Sequence, residues 1–306
     1  MAVPDPMPPP GARSRRSALP SPDDLARRLA GLRPNRQDLL RPVLASPREH
    51  VLSSSRTLAA KLGVDPATVV RLTRDLGFVR YRDFQHYLQE LAIAHATSLD
   101  TMSASKSRGT SLAAHIRESM DADQHQIQRL RHSQVEERIA ALARRMHAAR
   151  RLLLVGGDLA TSLVVYLRYH LLLLGLPVQA ATGGGESGAL ARAADNKDLL
   201  LAFSFRRCLR QTVEAVRQAR AQGAYCVGIT DTFVSPLARF AHESFLTPVD
   251  SPTYGASYAA PICLLNGIIA ACGYFPSGRT RRLLVKLTQE QRSGSRWYTE
   301  PTSPLR

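Results

Sequence analysis

The chain has 306 residues, 44% of them hydrophobic, with 41 Lys+Arg against 25 Asp+Glu and a formal charge of +16. That length and apolar content suit two globular domains with ordinary cores and exclude a wholly disordered chain. The charge favours a polyanionic partner, nucleic acid or an acidic membrane, but residues 1–98 hold only 15 basic against 9 acidic side chains, so basicity does not locate the binding surface.

The first stretch, MAVPDPMPPPGARSRRSALPSP, has no apolar core of a secretory signal. Its Pro, Ser and Arg content predicts a disordered tail over residues 1–22. Residues 23–96 read as a helical block. DLARRLAGL, RQDLLRPVLA, SSRTLAAKL, DPATVVRLTRDL and YRDFQHYLQELAIA are successive helical runs, with no strand-like alternation between them. The Ser/Thr-rich run at 95–111 is the natural linker, and residues 97–127 are assigned to a linker and connecting helix.

Within the block, GVDPATVVRLTRDLGF (63–78) is informative. On a helix over 66–76, Val69, Leu72 and Leu76 share one narrow arc, while Ala67, Val70, Arg71 and Arg74 lie opposite. Asp65 suits the N-cap, Pro66 the first helical position and Gly77 the residue after the helix. The preceding run has Leu58, Ala59 and Leu62 on its apolar side, and GVD is a tight turn between the two. Two short helices joined by a Gly-containing turn form a helix-turn-helix, whose second helix enters the major groove. Small outward residues allow close approach, and arginines reach guanine edges or phosphates. Ser55, Arg56, Ala67, Thr68, Arg71, Arg74, Arg80 and Arg82 are the candidate DNA-binding residues. An ordinary solvated amphipathic helix is the competing reading.

From residue 150 the pattern changes. RRLLLVGG, LPVQAA, DLLLAFSF, AYCVGITD and ESFLTPV read as strands, and helical runs separate them. Strands apolar on both faces and alternating with helices predict an open parallel sheet covered on both sides. TGGGESG (182–188) reads as a loop. The two oily stretches, 152–176 and 258–275, carry charges, His170, Pro261 and Asn266. They read as buried elements rather than membrane spans. The cysteines, Cys208, Cys226, Cys263 and Cys272, have no metal-ligand spacing and predict neither zinc nor disulfides, which fits a reducing cytoplasm. His115, His125, His132 and His147 read as surface residues. No cofactor and no metal are expected.

The stretch LSSSRTLAAKLGVDPATVVRLTRDLGFVRYRDFQHYLQE (52–90) resembles the RpiR/MurR family of bacterial transcriptional regulators. It reproduces the family pattern at Leu58, Ala59, Gly63, Val64, Ala67, Thr68, Val69, Arg71, Leu76, Gly77, Phe78, Tyr81, Asp83 and Phe84. Asp65 replaces the usual Ser, and Val79-Arg80 stands where Gly is usual. The resemblance implies an all-α N-terminal domain followed by an α/β SIS (sugar isomerase) domain at 128–275, a five-stranded parallel sheet that binds a phosphosugar and dimerises. Residues 276–306 are left as a C-terminal tail.

The family's phosphate loop, S.SG.T after the third strand, is altered here to SFRRCLRQT. Ser204 is kept, Arg206 and Arg207 replace Ser and Gly, and Leu209 replaces Thr. The first loop, GGDLATS, has Asp158 and Ala160 where Gly and Ser are common. Two readings stand open: a degenerate pocket with solvated arginines, or a pocket retuned for an anion. Gly156, Gly157, Asp158, Glu186, Ser204, Arg206, Arg207 and Arg210 are the candidate effector residues, able to clamp a carboxylate or phosphate. Cys208 sits at the same helix start, where thiol pKa falls, or is a packed inert thiol.

The sequence therefore predicts a regulator that binds a double-stranded DNA operator. Its SIS domain senses a small anionic metabolite, and the protein acts as a homodimer or homotetramer. The alternative is a SIS-type sugar-phosphate isomerase, which needs a placed general base. A basic nucleoid-coating protein is a third.

Overall fold

The computed structural model describes residues 20, 22–94, 111–133, 135–275 and 278–292. Most of the expected N-terminal tail and of the polar linker lies outside them. The first domain is helical: α1 (Pro22–Ala30), α2 (Pro34–Ala45), α3 (Pro47–His50), α4 (Ser55–Leu62), α5 (Pro66–Asp75) and α6 (Tyr81–Ala94). Leu25, Leu40, Leu44, Leu58, Leu72, Leu76 and Phe84 are fully buried in its core. Phe78 anchors an aromatic cluster, its ring 5.4 Å from Phe84 and 5.5 Å from Tyr87. Such pairs add to the area each ring buries.

Two helices lead into the second domain, α7 (Leu112–His132) and α8 (Glu136–Ala148). Helix α7 runs continuously across residues 127 and 128, the sequence-based boundary between linker and sheet domain. There follow β1 (Arg151–Gly156), α9 (Thr161–Leu173), β2 (Val178–Ala181), α10 (Gly184–Arg192), β3 (Asp198–Phe203), α11 (Arg210–Ala221), β4 (Tyr225–Thr230), α12 (Pro236–Phe240), β5 (Glu243–Leu246) and α13 (Ala259–Tyr274). A final helix, α14 (Gly278–Arg292), occupies part of the expected tail.

The five strands are parallel in the order β2-β1-β3-β4-β5. Every residue of the central β3 is buried, whereas the edge strands β2 and β5 are half exposed. Side chains alternate between faces. Leu152, Leu154, Leu199 and Leu201 pack under α8, α9 and α13, while Leu153, Val155, Leu200 and Ala202 pack under α10 and α11. The apolar helix α13, with Leu264, Leu265 and Ile268 buried, lies in the first of these cores.

Asp198 opens β3 with its side chain wholly buried. Arg150 and Arg151 both donate to its carboxylate, Arg150 at 3.1 and 3.0 Å, and the Asp195 N–H adds a bond at 3.0 Å. Burial alone would raise this carboxyl's pKa; the bonds from Arg151 and Arg150 outweigh it and hold the group at about 2, against an ordinary 3.8. A depressed carboxyl stabilises the fold above its unfolded value and loses that contribution as pH falls through its folded value. Urea melts should therefore show stability falling between about pH 4 and pH 2. Asp198→Ala should cost about 1–3 kcal/mol at pH 7, because it removes the shared acceptor of two arginines, although Arg150 keeps its ion pair with Asp195 at 2.7 Å. It should also flatten the acid limb.

Candidate functional site

Two surfaces carry chemistry, one in each domain. In the helical domain, Ser54 caps α4 by accepting the Thr57 N–H at 3.2 Å, and the helix ends at Gly63 with φ +67°. Asp65 caps α5, accepting the Thr68 N–H at 2.8 Å, with Pro66 in the first position. Gly77, at φ +96°, turns the chain out of α5. Both glycines occupy the left-handed region that side chains disfavour. Helix α5 buries Val69, Leu72 and Thr73 and exposes Ala67, Arg71 and Arg74.

A hydrogen-bonded chain runs along the outer face, which the sequence reading missed. The Thr68 hydroxyl donates to the Asp65 carboxylate at 2.5 Å, and Arg71 donates to the Thr68 oxygen at 2.9 Å. The Thr68 hydroxyl and N–H hold the Asp65 carboxyl below its ordinary pKa. The cap thus also aims a guanidinium. Arg56 and Arg82 are exposed, Ser55 is half-buried, and Arg80 faces solvent with its N–H on Asp83 at 3.0 Å. The Tyr81 hydroxyl braces the entry to α4 by donating to the Ser53 carbonyl at 2.8 Å. Burial raises its pKa to about 12, so it stays a donor.

In the second domain, the chain leaves β1 toward β2 on one side and returns as β3 on the other. This reversal opens a crevice beyond the carboxyl ends of β1 and β3, where open parallel sheets bind ligands. Gly156 ends β1 and Gly157 follows it. A Cβ on Gly156 would lie 2.9 Å from Val164 Cγ2, and one on Gly157 would lie 2.8 Å from Leu209 Cδ1 and 3.1 Å from Gln211 Nε2. A Cβ on Gly184 would meet Gln211 Oε1 at 2.5 Å. Gln211 therefore lies across both glycine segments, a neighbour that sequence spacing did not suggest. The expected loop at 182–188 is instead largely helical: α10 begins at Gly184, with Gly183 as its N-cap. Glu186 is thus an exposed residue of its first turn.

The three helices that start at this crevice, α9, α10 and α11, have Ala160, Gly183 and Leu209 at their N-caps, and none receives a side-chain cap. Helices α4, α5, α7 and α12 are capped by Ser54, Asp65, Ser111 and Ser235, while α2, α3, α8 and α13 also start without a side-chain cap. Uncapped N–H groups and the helix dipole both favour an anion.

Arg206 sits in the loop after β3 with φ +54°, and Asp158 in the loop after β1 with φ +55°. Strained backbone of this kind concentrates at functional positions. The Arg206 N–H donates to both carboxylate oxygens of Asp231 at 3.0 Å. Its Nε is buried without a hydrogen-bond partner. Across the crevice, Tyr258 packs on Phe205 with ring centres 5.0 Å apart. Burial, with the charges of Asp158 and Asp231, pushes the Tyr258 phenol up to about 12, and Arg206 opposes them. Ser204 is buried, while Arg207 and Arg210 are exposed. Cys208 is half-buried and donates to the Ser235 hydroxyl at 3.7 Å. His147, expected at the surface, is half-buried and donates from Nε2 to the Cys272 carbonyl at 2.9 Å, because α8 packs on α13. Among the described residues no His/Cys/Asp/Glu trio is placed to hold a metal ion, and no helix is long and apolar enough to cross a membrane.

A helix-turn-helix with an arginine-bearing outer face, carried on the same chain as a doubly wound sheet with a switch-point crevice, defines a class: the ligand-responsive DNA-binding regulator. A family model for the rpiR-family helix-turn-helix domain matches residues 23–94, and one for the SIS domain matches residues 145–265. With these two domains in this order, the chain belongs to the RpiR family of transcriptional regulators. It is similar to the sugar isomerase domain of an RpiR transcription factor from Sphaerobacter thermophilus, with 23% identity and a TM-score of 0.53 over 56% of this chain and 96% of that one. It is similar also to the Vibrio vulnificus NanR protein, solved in complex with ManNAc-6P, with 19% identity and a TM-score of 0.53 over 88% of this chain and 98% of that one. No curated protein matches the chain.

The strain at Arg206 has a direct consequence. Arg206→Gly removes the guanidinium and the left-handed penalty together, at the cost of a more flexible unfolded chain. Its stability should stay within about 1 kcal/mol of wild type, whereas a structurally required arginine would cost more. Chemical melts of the two proteins measure this.

Proposed function

We propose that the crevice between β1 and β3 holds a sugar phosphate or a similar small anion, and that its occupancy changes operator binding by α5. The observation that carries this reading is the buried, unpartnered Nε of Arg206, in the loop between β3 and the uncapped start of α11. An anion there gains backbone N–H donors and a guanidinium, while the Asp158 carboxylate suits the hydroxyls of a sugar. The S.SG.T hydroxyls of the family are replaced by Arg206, Arg207 and Leu209. The likeness to NanR, bound to ManNAc-6P, supports a phosphosugar within this class. Gly156, Gly157, Asp158, Glu186, Ser204, Arg206, Arg207 and Arg210 remain the proposed effector residues. Residues 23–96 are the proposed DNA-reading unit and 128–275 the sensing unit.

On the DNA side, Arg71 and Arg74 on α5 read the major groove, with Ala67 and Thr68 at close approach. Ser55, Arg56, Arg80 and Arg82 flank them on the phosphates. The protein acts as a homodimer or homotetramer in the cytoplasm, since paired half-sites require paired helix-turn-helix units. Exposed apolar side chains on α9 (Val165, Tyr169, Leu172) and α7 (Leu112, Ile116, Met120) support assembly. The reading is of a sensor and not an isomerase. Isomerisation needs a general base tuned over the sugar, and Glu186 is exposed at the start of α10.

A gel-shift titration against a duplex selected from random DNA tests the DNA half. Arg71→Ala should cost about 1–3 kcal/mol of specific binding and leave the melting temperature unchanged. Leu72→Ala, at a fully buried site, should instead cost about 2–5 kcal/mol of stability. Unchanged affinity in Arg71→Ala would remove this face from the interface.

The sensing half is tested by thermal shift with inorganic phosphate, ManNAc-6P and a panel of sugar phosphates. Arg206→Ala with Arg207→Ala should abolish the ligand-induced rise in melting temperature and the ligand's effect on DNA binding, while affinity for DNA alone persists. A double variant that still responds like wild type would make the arginines bystanders.

A further inference from the structure

The loop that carries Arg206 is fastened at two points to the segment that follows β4. Asp231 holds the Arg206 N–H with both carboxylate oxygens at 3.0 Å, and the Ser235 hydroxyl receives Cys208 at 3.7 Å. Between these two fastenings lie Phe233 and Val234. They are 6% and 8% exposed, and they are buried not in the sheet domain's cores but in the apolar cluster of the helical domain, with Leu25, Leu40, Val43, Leu58 and Leu72. Leu246, at the end of the neighbouring β5, packs against the same cluster.

The segment is short and locally determined. The Thr230 hydroxyl bonds Asp231 at 3.3 Å, the Ser235 N–H bonds the Thr232 carbonyl at 3.2 Å, and Ser235 caps α12. A shift at either fastening is therefore passed along five residues of constrained backbone rather than absorbed by a slack loop. Arg41 on α2 lies near Arg239 on α12, and burial together with the Arg239 charge pulls the Arg41 guanidinium below its ordinary pKa. An apolar wedge of two side chains is a small contact that a modest change can tip.

We propose that residues 230–235 are the coupling element of this regulator: Asp231 and Ser235 sense the conformation of the Arg206 loop, and Phe233 and Val234 transmit it into the core beneath the DNA-reading helix. This rests on the reading of Arg206 as an effector residue. It assigns Asp231 a positioning role, holding Arg206 in its left-handed conformation. A ligand that draws the Arg206 guanidinium inward pulls on the N–H that Asp231 grips, and so on the wedge two residues later.

Hydrogen–deuterium exchange on the full chain tests the coupling without knowledge of the effector or operator. The proteins are wild type, Asp231→Asn, Phe233→Ala and the double variant, each with and without inorganic phosphate and ManNAc-6P. Asp231→Asn weakens the grip on Arg206. Exchange should rise about tenfold at 204–210 and, through the wedge, also in α2, α4 and α5. In the Phe233→Ala background the same change should raise exchange at 204–210 alone. Phe233→Leu, which keeps an apolar contact, serves in place of Phe233→Ala if that protein does not fold and should blunt the response in the helical domain. Helical-domain exchange unaffected by Asp231→Asn, or raised equally with and without Phe233, overturns the proposal. Protection of 204–210 by phosphate or ManNAc-6P is a separate readout. Its absence counts against the effector reading and leaves the coupling to be judged by the variants.

Discussion

A parallel sheet cannot leave a face in water, and its strands can be joined only by crossovers that run back along it. All the strand ends of one sense therefore gather at one edge. In this protein that edge receives the starts of α9, α10 and α11, because each helix must begin where its strand stops. The order β2-β1-β3-β4-β5 then places β1 and β3 side by side with their connections diverging. The crevice, the convergence of uncapped helix starts and the position of Arg206 all follow from that one constraint. So does the burial of every residue in β3, which leaves its following loop as the place where polar chemistry can sit.

The two ends of the sheet show how the same residue types serve different ends. At the amino end, Arg150 and Arg151 close on Asp198, and a fully buried carboxylate is matched by two guanidinium groups and a backbone N–H. At the carboxyl end, Asp231 takes the backbone of Arg206 rather than its side chain, and the guanidinium Nε is left buried without a partner. The first arrangement is self-satisfied and serves stability. The second leaves a buried donor unused, and it is held in a backbone conformation that non-glycine residues seldom adopt.

The helical domain obeys a different rule. Its short helices have too few residues to be stable alone, so packing and caps carry them. Ser54, Asp65, Gly63 and Gly77 set where α4 and α5 begin and end, and the buried arc of α5 sets which way its arginines point. The bond from Arg71 to Thr68 shows a cap extended onto the outer face of α5. The same residues that start the helix hold an exposed arginine side chain over it.

Local periodicity and cap chemistry were enough to determine the helix pair, its inward and outward faces, and the alternation of strand and helix after residue 150. Each of those depends on residues a few positions apart. The arginines at 206 and 207 stood out only against the pattern of the family that the sequence resembles. What only the tertiary structure decided depends on residues far apart in the chain. The glycine run at 184–188 reads as a loop because glycine is a poor helix former, yet it folds as the first turn of α10, packed along α11. Gln211 lies over Gly157 and Gly184, segments 54 and 27 positions away by numbering, which no local pattern encodes. Asp231 meets Arg206 only because β4 pairs with β3. Phe233 and Val234, read alone as two more apolar residues of the sheet domain, are buried in the other domain's core. Sequence patterning says that a side chain seeks burial; which of two cores receives it is settled by the closure of the whole chain.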